Sequence, residues 1–136
     1  MGKLSSTDLK WLEDHFYCYA QYATDIQRRR FDLNFKPENQ TPEIQKQPSQ
    51  ESPTENYIIK IMTDEYITDR ERWRCGVEKV YREVDEDLRK LIQCKFFDSP
   101  YLSWEEAGDR LHHSKSKVYR MRYSILHKLA KAISYI

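Results

Sequence analysis

Residues 101–133 read YLSWEEAGDRLHHSKSKVYRMRYSILHKLAKAI, and their charges are sorted by position. Glu105, Glu106 and Asp109 all precede Leu111, whereas six Lys or Arg and no Asp or Glu lie between Leu111 and Ile136. Ser103 is placed to cap a short first helix, with Glu105 and Glu106 in the first turn, where the amide dipoles favour acids. Trp104, Ala107, Gly108 and Leu111 make its packing face. Residues 112–115 form a turn in which Ser114 can cap a second helix. That helix carries Val118, Met121, Ile125, Leu129 and Ala132 at spacings of 3, 4, 4 and 3, an inward face of helical period. Lys115, Ser116, Lys117, Tyr119, Arg120 and Tyr123 are left outward. Gly108 lets the second helix cross closely, with Val118 beneath it. Two helices joined by so short a turn are a helix-turn-helix.

In such an arrangement the second helix enters the major groove of double-stranded DNA by its N-terminal turns, whose side chains reach base edges. An acid on that helix would face phosphates, which accounts for the missing Asp and Glu. The acids of the first helix are expected to stay clear at its outward N-terminal turn.

Beyond this segment, 136 residues allow one ordinary domain, or a small domain with an appendage. One third of the residues are charged and only three are glycine, a composition of helical rather than sheet-rich proteins. The net charge of +1 is the sum of −5 over residues 1–111 and +6 over 112–136, so the basic potential is C-terminal. Cys18, Cys75 and Cys94 lack zinc-ligand or CxxC spacing and read as free thiols of a reducing, cytoplasmic compartment. No apolar run reaches membrane-spanning length, and the charged and polar first residues give no expectation of a signal peptide.

Four regions follow. Residues 1–33 read as an N-terminal amphipathic helix starting at Ser6 or Thr7, its stripe Leu9, Leu12, Phe16, Tyr19, Ala23 and Ile26 spaced like a heptad. Arg28, Arg29 and Arg30 near its end suit an exposed last turn. Residues 34–56 hold four of the five prolines among Gln, Glu, Ser and Thr and read as a flexible linker. Residues 57–84 are a middle helix or helix pair, with Ile58, Met62, Tyr66, Trp73, Val77, Val80 and Val84 on apolar faces and Thr68-Asp69 as a second cap. Residues 85–136 are the helix-turn-helix region. It opens with Asp85 as cap of a helix presenting Leu88, Leu91, Ile92 and Phe96, and Pro100 forces a break before the quoted stretch. The fold class is all-α. The N-terminal stripe either covers residues 57–84 within the chain or pairs between subunits as a short coiled coil, giving a homodimer or higher oligomer.

The segment LSWEEAGDRLHHSKSKVYRMRYSILHKL resembles the helix-turn-helix of sigma-70 region 4. Ser103, Glu105, Glu106, Gly108, Arg110, Leu111, Ser114, Val118, Leu126, Lys128 and Leu129 match its pattern in register. His112 and His113 stand where the pattern has Gly and an aliphatic residue, and Ser116 and Arg120 replace its usual Glu and Gln. In length and order of elements the whole chain is similar to small phage-encoded transcriptional regulators of the RinA and ArpU type. The resemblance implies activation of late phage genes through upstream DNA, acting with host RNA polymerase, at a site other than a standard −35 element. It implies base or groove contacts from Lys115, Ser116, Lys117, Tyr119 and Arg120, with Arg120 reading guanine. Ser103, Ser114, Arg122 and Lys128 are implied as phosphate or structural contacts.

Two other classes fit the same segment: a DNA-packaging protein of the terminase small-subunit kind, and a sigma-like polymerase adaptor without base readout. An enzyme is not expected, because no phosphate loop, nucleophile elbow or triad pattern occurs. No metal or cofactor is expected either: His112-His113 lack further ligands, and His15 with Cys18 has no second pair.

Overall fold

Short polar residues set the helix starts. A computed structural model describes residues 3–34 and 53–136, and every regular element among them is helical. The order is α1 (Ser6–Tyr17), α2 (Tyr19–Asn34), α3 (Pro53–Thr63), α4 (Glu65–Glu83), α5 (Glu86–Ile92), a π-helical turn (Gln93–Asp98), α6 (Trp104–Arg110) and α7 (Lys115–Ala132). Ser5 caps α1 in a reciprocal box with Asp8, and Asp85 caps α5 through the amide of Leu88 at 2.9 Å. The helical stretch opened by α5 ends at Asp98, two residues before Pro100. Most of the Pro-rich segment 34–56 lies outside the described residues; of its edges, Asn34 closes α2 and α3 begins at Pro53.

The chain divides into two compact units, one of Met1–Ala20 with Trp73–Ile136, the other of Gln21–Arg72. The N-terminal helix read over residues 1–33 is two helices, broken at Cys18, and its apolar stripe splits accordingly. Leu12 and Phe16 enter the core of the first unit, and Ile26 joins the core of the second. Ala23, expected on the stripe, is exposed.

In the first unit α1 packs on α7 and the π turn, and within residues 57–84 its His15 ring lies 4.5 Å from that of Trp73. Phe16 stacks on Phe96 with ring centroids 4.6 Å apart, and Phe96 meets Trp104 edge-on at 5.4 Å. Val77, Leu91, Ile92, Val118, Ile125, Leu126 and Leu129 complete a closely buried centre. Full burial of Leu12 and Phe16 stabilises this unit by about 1.5–3 kcal/mol each. The helix-turn-helix region therefore does not own its core, since α1, far earlier in sequence, supplies part of it.

In the second unit Ile26 and Leu33 of α2 pack with Ile67 of α4, with Tyr57 and Ile61 of α3 against them. Asp64 separates α3 from α4 and caps the latter, its Oδ1 accepting from the Ile67 amide at 3.0 Å. That cap replaces the one expected at Thr68-Asp69. Ile58, Met62 and Tyr66 are exposed, while Trp73, Val77, Val80 and Val84 keep their packing positions. The arginines expected in an exposed last turn lie inside α2. Arg29 is paired with Asp64 at 2.7 Å and Arg30 with Glu71 at 3.4 Å.

Candidate nucleic-acid interface

The relation between α6 and α7 is set by three local devices. Ser103 caps α6 by accepting from the Glu106 amide at 3.1 Å, while the Glu106 carboxylate accepts from the Ser103 amide at 2.8 Å. The Ser103 amide, and after it the Ser103 hydroxyl, hold the Glu106 carboxyl below its ordinary pKa by hydrogen bonding to it. Ser114 caps α7 through the amide of Lys117 at 3.2 Å. Between them, His113 N donates to Gly108 O at 2.9 Å and His112 N to Asp109 O at 3.1 Å. This pair of bonds is a Schellman ending, which requires a left-handed residue just past the cap. His112 supplies it with a φ of 64°, so the turn keeps the glycine-type angle without a glycine.

The inner face of α7 is as expected at Val118, Met121, Ile125 and Leu129, and it also buries Leu126 and Ala130. Gly108 lies over Val118, where a Cβ would run into the valine Cγ2. Tyr123 departs from expectation: it is half-buried against the core, and its hydroxyl accepts from the Leu4 amide at 3.2 Å.

Lys115, Ser116, Lys117, Tyr119 and Arg120 are all exposed on the first turns of α7. Lys117 and Arg120 line a shallow hollow of about 270 Å³ together with Asp85, Asp87, Leu88, Met121 and Ser124. On the other flank Glu105 does not stay clear of α7. Its Oε2 accepts from the Tyr119 hydroxyl at 2.9 Å and lies 3.7 Å from Lys115 Nζ. The hydrogen bond to Glu105 raises the Tyr119 pKa. The exposed face of α7 itself is free of acids, but its basic side chains are flanked by carboxylates from α5 and α6.

The remaining residues from the sequence reading separate from this group. Ser103 and Ser114 are exposed and serve as caps. Lys128 lies about 12 Å further along the helix axis than Arg120, beside Lys79, Glu83 and Lys131. Arg122 turns inward: its Nε donates to Glu13 Oε2 at 2.7 Å, and the same oxygen accepts from Trp104 Nε1 at 2.9 Å. With side chains 22% and 14% exposed, this pair is shielded from water and ties α7 to α1.

Sequence reasoning also missed Lys95. Its Nζ donates to the Tyr17 hydroxyl, lies over the rings of Tyr17, Phe96 and Trp104, and is buried. Desolvation lowers its pKa, with the Glu13 carboxylate opposing the effect. The available sequence signal was position: Lys95 stands between Cys94 and the core residue Phe96. No helix among the described residues is long and apolar enough to cross a membrane. Among them no group of three or more His, Cys, Asp and Glu could hold a metal.

The described residues form an all-helical protein that presents a basic, acid-free helix face beside a capped turn. The chain belongs to the family described as "protein of unknown function (DUF722)", whose model matches residues 7–131. No curated protein and no solved structure matches it.

Proposed function

We propose that this protein is a sequence-specific double-stranded-DNA-binding transcriptional regulator rather than an enzyme. In this reading α6, its turn and α7 form a helix-turn-helix of the sigma-70 region 4 type, and α7 enters the major groove by its first turns. The observation that carries the reading is the exposed face of Lys115, Lys117, Tyr119 and Arg120 on a helix without a single acid, held by a cap and a Schellman turn. Cationic side chains neutralise phosphates, and the Arg120 fork matches O6 and N7 of guanine. Ser103 and Ser114 keep hydroxyls exposed for phosphate in addition to capping, and Lys128 provides a separate, outlying cation. Arg122 acts as a structural residue, because its charge is taken by Glu13.

With the resemblance to RinA- and ArpU-type regulators, the biological role is activation of late phage genes in the cytoplasm of a bacterial host, in concert with RNA polymerase. Since Leu12 and Phe16 are consumed by the core of their own chain, a homodimer would use α3 and α4 rather than the N-terminal stripe.

The deciding experiment is selection of bound sequences from a random duplex pool, with and without bacterial RNA polymerase. A motif enriched by the protein alone is the expected result; no enrichment in either arm overturns the reading. The carboxylates flanking α7 favour, as a second reading, a sigma-like adaptor that meets polymerase without reading bases. Enrichment only in the polymerase arm, with a shallow salt dependence of direct DNA binding, would establish that one instead.

A further inference from the structure

We propose that Glu105 is a built-in restraint on the DNA-facing helix, holding Lys115 and Tyr119 until a backbone phosphate displaces its carboxylate. This rests on the DNA-binding reading above and concerns how that same face is regulated. One oxygen, Glu105 Oε2, engages both side chains: it accepts from the Tyr119 hydroxyl at 2.9 Å and faces Lys115 Nζ at 3.7 Å. The neighbouring Glu106 is committed to capping Ser103, so the two adjacent acids have different tasks. One closes its own helix, and the other reaches across to α7.

A lysine ammonium and a tyrosine hydroxyl are both ordinary donors to DNA phosphate. In the free protein a carboxylate occupies them; in the complex the same donors can turn to phosphate, whose field also repels the carboxylate. Both partners of the ion pair are well exposed, Lys115 by 71% and Glu105 by 47%. Exposed pairs of this kind are weak and screened by salt. The contact is thus a restraint that a polyanion overcomes, and its cost falls on every duplex regardless of sequence. It lowers general affinity for DNA and leaves the base contacts of Arg120 to decide where the protein stays.

The test compares the full-length protein with Glu105→Gln and Glu105→Ala by fluorescence anisotropy on a random-sequence 30-base-pair duplex over a series of salt concentrations. Both variants are expected to bind about three- to tenfold more tightly at low salt, since an exposed pair and one repulsive charge are removed. The slope of log affinity against log salt should steepen by about one phosphate contact. Separately, NMR titration of ring-labelled tyrosine should show Tyr119 ionising at lower pH in Glu105→Ala than in the parent. If the parent binds DNA and both variants bind equally or more weakly, the restraint is overturned and the DNA-binding reading stands. An unchanged Tyr119 titration overturns it as well. If neither parent nor variants bind the duplex at low salt, the DNA-binding reading falls and the restraint with it.

Discussion

Gly108 of α6 and Val118 of α7 meet so closely that the valine side chain occupies the place of any Cβ on residue 108. Adding even one methyl group forces the two helices apart or Val118 out of its rotamer. Gly108→Ala should therefore cost about 1–3 kcal/mol, the usual range for overpacking. Combining it with Val118→Ala should recover part of the loss, because the obstructing Cγ2 is removed. Denaturant unfolding of the two single variants and the double variant measures this, and strictly additive losses would contradict the contact.

His112 carries the opposite expectation. It sits at φ 64° in the ending of α6, a conformation that costs a residue with a Cβ about 1–2 kcal/mol. His112→Gly should raise stability by roughly 1 kcal/mol despite glycine's looser unfolded chain. His112→Val, which combines a β-branch with positive φ, should lower it. Thermal melts of both variants, read against the parent, decide the sign.

The third expectation concerns α1. Glu13 accepts from Arg122 and Trp104 at once and faces the buried Lys95. Its removal leaves two cations close together with no counter-charge. Glu13→Gln should destabilise the protein by about 2–3 kcal/mol, somewhat below the cost of orphaning a fully buried charge. By the same logic a fragment of residues 85–136 should not fold alone, for it lacks Leu12 and Phe16. Near-UV circular dichroism of that fragment would show fixed aromatic packing if this expectation were wrong.

For acid sensitivity, the sign follows from Asp64. The hydrogen bond from Arg29 is the main cause that lowers its pKa below the ordinary 3.8. A depressed carboxyl contributes stability that is complete above its unfolded pKa and is lost as pH falls through the folded value. Asp64→Asn should cost about 1 kcal/mol at pH 7, since Arg29 is partly exposed and its charge is screened. The Tm difference between parent and variant should start to shrink as pH falls below the ordinary 3.8 and vanish only below the depressed folded value, where both lack the charge. A difference that stayed constant over that range would assign the effect to packing.

On the DNA face, Arg120→Ala should cost about 1–3 kcal/mol on the selected site and relax the preference at one base pair. Lys117→Ala should weaken binding to all sequences alike and reduce the salt slope by about one. Competition binding with matched and mismatched duplexes separates the two.

Much of this molecule is local in origin and could be read residue by residue. The caps Ser103, Ser114 and Asp85, the break before Pro100, the inward period of α7 and the Gly108–Val118 crossing each depend on neighbours within about fifteen positions. A turn at Cys18 divides the N-terminal stripe between two helices and leaves Ala23 exposed, and a cap at Asp64 divides the middle segment into α3 and α4. Both are small interruptions in otherwise continuous helical patterns, and the apolar spacing alone does not register them.

By itself, then, the sequence determined the helical class, the C-terminal pair of helices and the acid-free face of α7, since capping, backbone sterics and charge placement act over short distances. Only the tertiary structure decided that α1 completes the core, that Lys95 is buried, that Arg122 belongs to Glu13 and that Glu105 reaches Tyr119. The Arg122–Glu13 bond joins residues 109 positions apart. Glu105 and Tyr119 meet only because a four-residue turn folds one helix beside the other. Such pairings depend on where packed helices place their side chains in space, and no periodicity along the chain encodes which two will meet.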